Sequence, residues 1–456
     1  MRISTTAAHC VAATVLLFAP EAFASGFQLK EQSTSKLGNA FAGAGASGDD
    51  ASILFFNPAG ISLFGTPQSQ GGLSAIKPRS VFESTTATDG AGGTMSGGDG
   101  GDAGSLAGVP SAYLVAPVSD TVNVGLALNV PFGLVTSYED DWAGRYHAIT
   151  SDLETVSVTG VASIRINDKL SIGGGPTITY AKARLTNAVD FGTICVGSLG
   201  ASTCSTLGAL PQQADGKADL QGDDWALGAT AGLLYEPIKG TRFGLSWRSQ
   251  TKLSVQGDAD FDVPSNAQVL TASGAFTDSD VTSTVTLPET IGVSVHHDVN
   301  ESFAVMGDVV WTAWSRFEEL RFVFDNPAQP DSVTPENWND TFFVSLGATW
   351  KPDEHWTLRT GVAYDQSPVD DNFRTPRIPG GPILDRAWGR LYRRRPVDDL
   401  GGLHPHLRRR SLARSVERRR GNAARYLRQL DRHPDPGRDL PVLTLFSPDH
   451  PALQVC

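Results

Sequence analysis

From Thr121 to Val130 every second residue is apolar: Val122, Val124, Leu126, Leu128 and Val130 alternate with Thr121, Asn123, Gly125, Ala127 and Asn129. A period of two places the apolar set on one face of an extended strand. The same period returns at Phe342, Val344, Leu346, Ala348 and Trp350. It returns again at Trp356, Leu358, Val362 and Tyr364, where Arg359 and Asp365 are predicted to face the opposite way, inward. About eleven strands are readable before residue 386 on this criterion. They lie near 69–81, 109–118, 121–137, 151–166, 169–186, 217–236, 241–257, 281–298, 302–324, 340–350 and 355–366.

The connectors alternate in length. Short turns fall near Ser119-Asp120, Asn167-Asp168, Pro237–Gly240, Val299–Glu301 and Lys351–Glu354. Between them lie long connectors near 82–108, 138–151, 187–217, 258–280, 325–339 and 367–385. A soluble sandwich also alternates in hydropathy, but short turns at one strand end and long loops at the other are the mark of a bacterial membrane barrel. Trp350, Trp356 and Tyr364, near turn ends, suit its aromatic girdle.

The start of the chain points the same way. Arg2, the apolar run Val11–Phe18 and the small-x-small site Ala22-Phe23-Ala24 read as a secretory leader, with cleavage expected after Ala24. The chain holds no run of about 18 apolar residues, which excludes helical membrane spans. Export then leads to a secreted soluble protein or to an outer-membrane barrel, and the connector asymmetry favours the barrel. In an oxidising compartment Cys195 and Cys204 are placed to close a small loop, leaving Cys456 unpaired.

Residues 25–68 differ in character from the strand-rich chain after them. They alternate poorly and carry Gly38, Ala40, Ala42, Gly43, Ala44, Gly45, Ala46, Ser47 and Gly48 in close succession, which suits neither a membrane strand nor an independent core. They read as a plug for the lumen of the barrel. The chain therefore divides into a leader (1–24), a plug (25–68), barrel strands and loops (69–385) and a final segment (386–456).

That last segment changes composition. From Arg386 to Cys456 there are 16 Arg, no Lys and 7 acidic residues, a balance of +9, against 21 basic and 42 acidic residues in 1–385, a balance of −21; the two sum to the net −12. Runs such as Arg393-Arg394-Arg395, Arg408-Arg409-Arg410 and Arg418-Arg419-Arg420 are unsuited to lipid, where a midplane Arg costs about 2–4 kcal/mol. A change of reading frame between about Pro379 and Gly401 is the expectation.

Motifs in order carry a resemblance. Ser25-Gly26-Phe27-Gln28-Leu29, Leu37-Gly38-Asn39-Ala40, Asp49-Asp50-Ala51 and Asn57-Pro58-Ala59 are followed by Pro131-Phe132-Gly133, Trp142-Ala143-Gly144-Arg145, Asp152-Leu153-Glu154-Thr155 and Gly222-Asp223-Asp224-Trp225. Then come Trp247-Arg248-Ser249, Leu287-Pro288-Glu289, Trp311-Thr312-Ala313-Trp314-Ser315, Leu358-Arg359-Thr360-Gly361, Ser367-Pro368 and Arg377-Ile378-Pro379. Across 25–379 the chain resembles the FadL-type long-chain fatty acid and hydrocarbon transporters of Gram-negative outer membranes. The resemblance implies an all-β fold: a transmembrane antiparallel β-barrel of 14 strands with an N-terminal hatch plugging the lumen.

It also implies passive uptake of hydrophobic compounds, most directly long-chain fatty acids, with no cofactor. Ligand is captured at external loops, passes the hatch and leaves sideways at a kink in the third strand. The opening would fall at Pro131, Phe132 and Gly133, because proline donates no ladder hydrogen bond and glycine packs nothing; alternatively Pro131 begins the outer loop. In the hatch, Phe27 is expected at the ligand, with plug packing as the other reading, and Leu29 beside it. Asn57, Pro58 and Ala59 are expected to form a turn that fixes the hatch to the wall. Val196, Leu199, Leu207 and Leu210, in the loop closed by Cys195 and Cys204, are candidates for external capture. The family's carboxylate-binding basic residues have no obvious counterpart, since the fifth strand ends at Asn187 and Lys182 and Arg184 come earlier. Uptake of aromatic or other hydrocarbons therefore stays open.

Expected partners are hydrophobic small molecules, outer-membrane lipid, lipopolysaccharide and the barrel-assembly machinery, with no nucleic acid and a monomeric state. Catalytic and metal-binding signals are weak. Gly43–Gly48 formally fits a dinucleotide fingerprint but lacks a surrounding βαβ unit, and His296 and His297 are adjacent on a strand, so they face opposite sides. A barrel esterase or protease and an open general porin are the alternatives of another class.

Overall fold

The computed structural model describes residues 26–83, 87–89, 92–354, 356–379, 383–387 and 392–393. The leader and nearly all of the Arg-rich segment 386–456 lie outside them. None of the helices among the described residues is long and apolar enough to cross a membrane.

The strands are β1 (Gln68–Ile76), β2 (Ala107–Pro117), β3 (Val122–Asn129), β4 (Gly133–Ser137), β5 (Thr150–Asn167), β6 (Leu170–Asp190), β7 (Asp215–Ile238), β8 (Thr241–Arg248) and β9 (Thr251–Asp262). They continue with β10 (Ser279–Leu287), β11 (Thr290–Asn300), β12 (Phe303–Thr312), β13 (Glu319–Phe324), β14 (Ser332–Pro335), β15 (Thr341–Trp350), β16 (Trp356–Asp365), β17 (Ile383–Ala387) and β18 (Tyr392–Arg393). Every ladder is antiparallel and joins one leg of the chain to the next. Several are halves of one leg interrupted near its outer end, as in β3/β4, β8/β9, β10/β11 and β12/β13. Counting legs, eleven run from β1 to β16, and β17 with β18 begins a twelfth along β16. Among the described residues no ladder joins β1 to the last strand.

Turn and loop ends segregate as the spacing predicts. One departure is that β6 and β7 run on to a pairing of Asp190 with Asp215, which turns part of the expected 187–217 loop into ladder. The remainder holds two short helices, α1 (Phe191–Leu199) and α2 (Ala201–Leu207). Asp190 caps the first by accepting the Thr193 N–H at 2.9 Å.

The apolar face of each strand points outward. Leu114, Leu126, Val158, Ile178, Leu227, Leu245, Val293, Val309 and Leu346 are all exposed, one strand after another. A belt of this extent is the surface a bilayer covers. Three rows across β5–β7 mark its outer edge: Val158–Ile178–Leu227 are apolar, Val156–Tyr180–Trp225 are mainly aromatic, and Glu154–Lys182–Asp223 are charged. The Tyr180 and Trp225 rings lie 4.9 Å apart in that interfacial row.

The inward faces are small and polar, and residues 26–64 lie against them. Asn123 Nδ2 donates to the Ile61 and Phe64 carbonyls at 2.7 Å each, Ser163 to the Ala59 carbonyl at 3.1 Å, and Asn39 Nδ2 to the Ala348 carbonyl at 2.8 Å. These bonds satisfy a compact segment too short to bury its own backbone. The glycines of the wall allow the approach: a Cβ on Gly232 would stand 2.0 Å from Asn57 Oδ1 and one on Gly244 2.3 Å from the Gly45 carbonyl.

A candidate lumenal site and strand opening

Phe27 sits in an aromatic cage. Its ring centroid lies 4.8 Å from Trp314 and 5.8 Å from Phe317, both edge to face, and 5.7 Å from Trp338 and 5.9 Å from Phe132, both tilted. Such packing is worth about 0.5–1.5 kcal/mol per pair beyond area burial, and Phe27 is 3% exposed.

On the outer side of this cage lies a cavity, with about 840 Å³ of non-atom space when the adjoining open solvent is counted. Leu153, Leu185, Leu220, Leu253, Val255 and Phe322 supply most of its wall, from inward positions of β5, β6, β7, β9 and β13. Phe27 forms part of its floor, and Arg377 and Ile378 come down from the loop after β16. The Arg377 guanidinium donates to Asn187 Oδ1 at 3.0 Å and to Ser151 Oγ at 3.4 Å. Burial pulls its pKa down to about 10, with Glu336 opposing. Glu336 is itself 1% exposed. Its Oε2 accepts the Trp338 indole N–H at 2.9 Å while Oε1 has no partner, and burial pushes its carboxyl up to about 7. The cavity wall is thus mostly apolar, with Arg377 and Asp152 as the charged residues in its lining and Glu336, outside the lining, acting on Arg377 through space.

The third strand breaks beside it. The ladder of β3 ends at Asn129 and resumes at Gly133. Between them the backbone turns to the N-terminal segment: the Leu29 N–H donates to the Pro131 carbonyl and the Gly133 N–H to the Phe27 carbonyl, both at 2.9 Å. Phe132 bridges Gln28, and its own amide and carbonyl are held by Thr155 Oγ1 at 3.0 and 2.6 Å. Pro131 therefore interrupts the strand rather than beginning the outer loop. The β2–β3 ladder stops at Ala112–Leu128, so the lower-numbered half of β2 has no strand-long partner on that side among the described residues.

Residues 15–392 match the family described as outer membrane protein transport protein (OMPP1/FadL/TodX). The chain belongs to this family. The long-chain fatty acid transport protein of Salmonella typhi is 33% identical over 387 residues, covering 83% of this chain and 85% of that protein. The Escherichia coli K12 protein of the same name is 32% identical over 395 residues, covering 83% and 86%. Among solved structures, a Pseudomonas aeruginosa FadL homologue superposes with a TM-score of 0.71 at 22% identity, over 78% of this chain and 85% of that one. The Pseudomonas putida toluene transporter TodX gives 0.58 at 18% identity, over 80% and 88%. The fold is that of a FadL-type β-barrel, and the protein is an outer-membrane protein of a Gram-negative cell.

Within this FadL-type barrel the remaining expected residues sort clearly. Leu29 packs at the break, where a Cβ on Gly133 would meet its Cδ1 at 3.1 Å. Asn57 is anchored to the wall: Nδ2 donates to the Gly45 and Leu233 carbonyls at 2.9 and 3.0 Å, and Oδ1 accepts the Ala59 N–H at 3.1 Å. Asn57, Pro58 and Ala59 line neither the outer cavity nor its neighbour. Cys195 and Cys204 form a disulfide. Of the four loop candidates, Leu199 and Leu207 are exposed, whereas Val196 packs into the loop's own core and Leu210 is half-buried. None of the four lines the cavity.

Lys182 and Arg184 point outward, Arg184 pairing with Asp219 at 2.5 Å. Asn187 does reach the cavity mouth, through Arg377. Sequence reasoning missed Arg377 as the basic group at that mouth, although it stands in the Arg377-Ile378-Pro379 motif. Its position comes from a loop folding back by 190 residues in sequence. His296 and His297 face opposite ways, His296 buried beside Asp298 and His297 exposed beside Thr241. The Gly43–Gly48 run lies against the wall, where the Ala44 N–H donates to Asp308 at 3.1 Å.

Proposed function

We propose that this protein carries hydrophobic molecules across the outer membrane by diffusion, with long-chain fatty acids as the first substrate class. The observation that carries this reading is the outer cavity, apolar along its wall with Arg377 at its end. A fatty acid matches it part for part: the chain occupies the surface of leucine, valine and phenylalanine, and the carboxylate takes the guanidinium, a charge-assisted pairing stronger than a neutral hydrogen bond. The named activity of the Salmonella and Escherichia relatives supports the same class.

Residues 26–64 act as the hatch, and Phe27 is the movable floor of the cavity. Withdrawal of residues 27–29 releases the backbone bonds to Pro131 and Gly133 and leaves the broken third strand as a side exit into lipid. Leu199 and Leu207 offer apolar surface for first contact outside. The protein works as a monomer in the lipopolysaccharide-bearing membrane, is inserted by the barrel-assembly machinery, and binds no nucleic acid. Aromatic hydrocarbons form the second reading, favoured by the leucine, valine and phenylalanine side chains that make up most of the cavity wall. Uptake of labelled oleate and labelled toluene by expressing cells separates the two. Oleate uptake supports the fatty-acid reading; toluene uptake without oleate supports the hydrocarbon one.

A further inference from the structure

A second chamber lies beyond residues 27–30, away from the outer cavity. It lies between Gln28–Lys30, Phe41, Phe55, Phe56 and the inward faces of β7, β8, β11, β12 and β15. Two cations line it. The Lys30 ammonium donates to Gln28 Oε1 at 2.9 Å and stands 5.0 Å from the centroid of the Phe343 ring. The Arg248 guanidinium donates to the Phe55 carbonyl at 2.9 Å and stands 4.3 Å over the Phe55 ring.

Among the described residues neither makes an ion pair within 4 Å, although Asp365 and Glu31 act on Lys30 through space. The acid of the chamber, Asp308, is engaged elsewhere: it accepts the Ala44 N–H and the Ser294 hydroxyl. Burial pushes Lys30 below the ordinary lysine range. Two desolvated cations held mainly by neutral groups and ring faces gain from an incoming anion, because the attraction acts in a medium of reduced dielectric.

We infer that this inner chamber is a second station for the anionic head of a transported amphiphile, with Lys30 and Arg248 as its carboxylate ligands. The inference rests on the transport reading above. The head leaves Arg377, passes the displaced Phe27 ring and lodges between the two cations. A purely neutral hydrocarbon has no such stop.

The test uses a long-chain fatty acid carrying a diazirine beside the carboxyl group, cross-linked to the full chain in detergent and mapped by mass spectrometry. Adducts are expected in both chambers: at Leu220, Val255 or Phe322 outside, and at Phe55, Phe56 or Ser246 inside. In the K30M/R248M double variant the inner adducts should fall at least roughly tenfold while the outer ones persist, and Lys30→Arg should retain both. Outer adducts alone in the unaltered protein, or inner adducts unchanged in the double variant, overturn this inference and leave the transport reading standing. Adducts in neither chamber overturn both. If the double variant does not fold, the pattern in the unaltered protein decides.

Discussion

Arg377 lines the outer cavity, and Glu336 acts on it through space. Replacing Arg377 by Met removes the only cation on its wall among the described residues. Hydrogen bonds to charged groups contribute about 1.5–3 kcal/mol, so affinity for a long-chain alkyl sulfonate should fall by about 10- to 100-fold while a neutral long-chain alcohol changes little; titration calorimetry in detergent reads both. Glu336 adds a pH dependence. Its carboxyl is pushed up to about 7, so it is neutral below that pH and negative above it, where it competes for Arg377. The sulfonate head does not titrate, so its affinity should drop by roughly fivefold between pH 6 and pH 8, and Glu336→Gln should flatten the profile. A profile unchanged by that substitution would remove Glu336 from the site. The sequence could not reveal this pair: a lone Glu and a lone Arg 41 positions apart in loops carry no period, and only the folding of both loops into the barrel mouth joins them.

At the scale of elements, residues 26–64, proposed as the hatch, are held against the wall by close contacts. Gly232 shows it: adding a methyl group there would drive into the Asn57 amide. Overpacking of this kind costs about 1–3 kcal/mol. Gly232→Ala should therefore loosen the hatch, raising sugar flux in a liposome-swelling assay while the barrel still resists unfolding in cold detergent; unchanged flux would argue that Asn57 does not seat it. The loop helices invite a second check. Their disulfide closes a loop of sequence separation 9, worth about 2–3 kcal/mol in the chain-entropy view. Cys195→Ser with Cys204→Ser should slow initial uptake without changing affinity at the inner sites. Strands were legible in outline because their outward faces keep a period of two, as at Leu126 and Val158. The breaks inside β8/β9 and β12/β13 were not, since a bulge or short interruption leaves that period nearly intact. Asn57-Pro58-Ala59 was legible as a turn because its chemistry is local.

For the whole molecule, eleven legs and the start of a twelfth carry the outer-membrane barrel as far as Arg393, and the family match ends at residue 392. The change of reading frame that the Arg-rich composition of 386–456 suggests is proposed between about Pro379 and Gly401. Resequencing the coding DNA there should reveal a shifted frame; an unambiguous frame with the Arg-rich segment present in the mature protein would refute it. An unpaired strand edge in lipid costs several kcal/mol per exposed backbone group, so under the proposed frameshift a frame-corrected chain should resist heat in detergent better than this one; equal resistance would argue against the shift. The fold was legible at this scale because connector asymmetry reports the bilayer, while the substrate was not, because the cavity is assembled from single residues on many strands. Transport is the central claim, and it is tested most directly by uptake of labelled oleate in cells lacking their own transporter. The account predicts saturable uptake well above the empty vector, lowered by Arg377→Met. Uptake no greater than the vector, with the folded barrel recovered from the outer membrane, would contradict it.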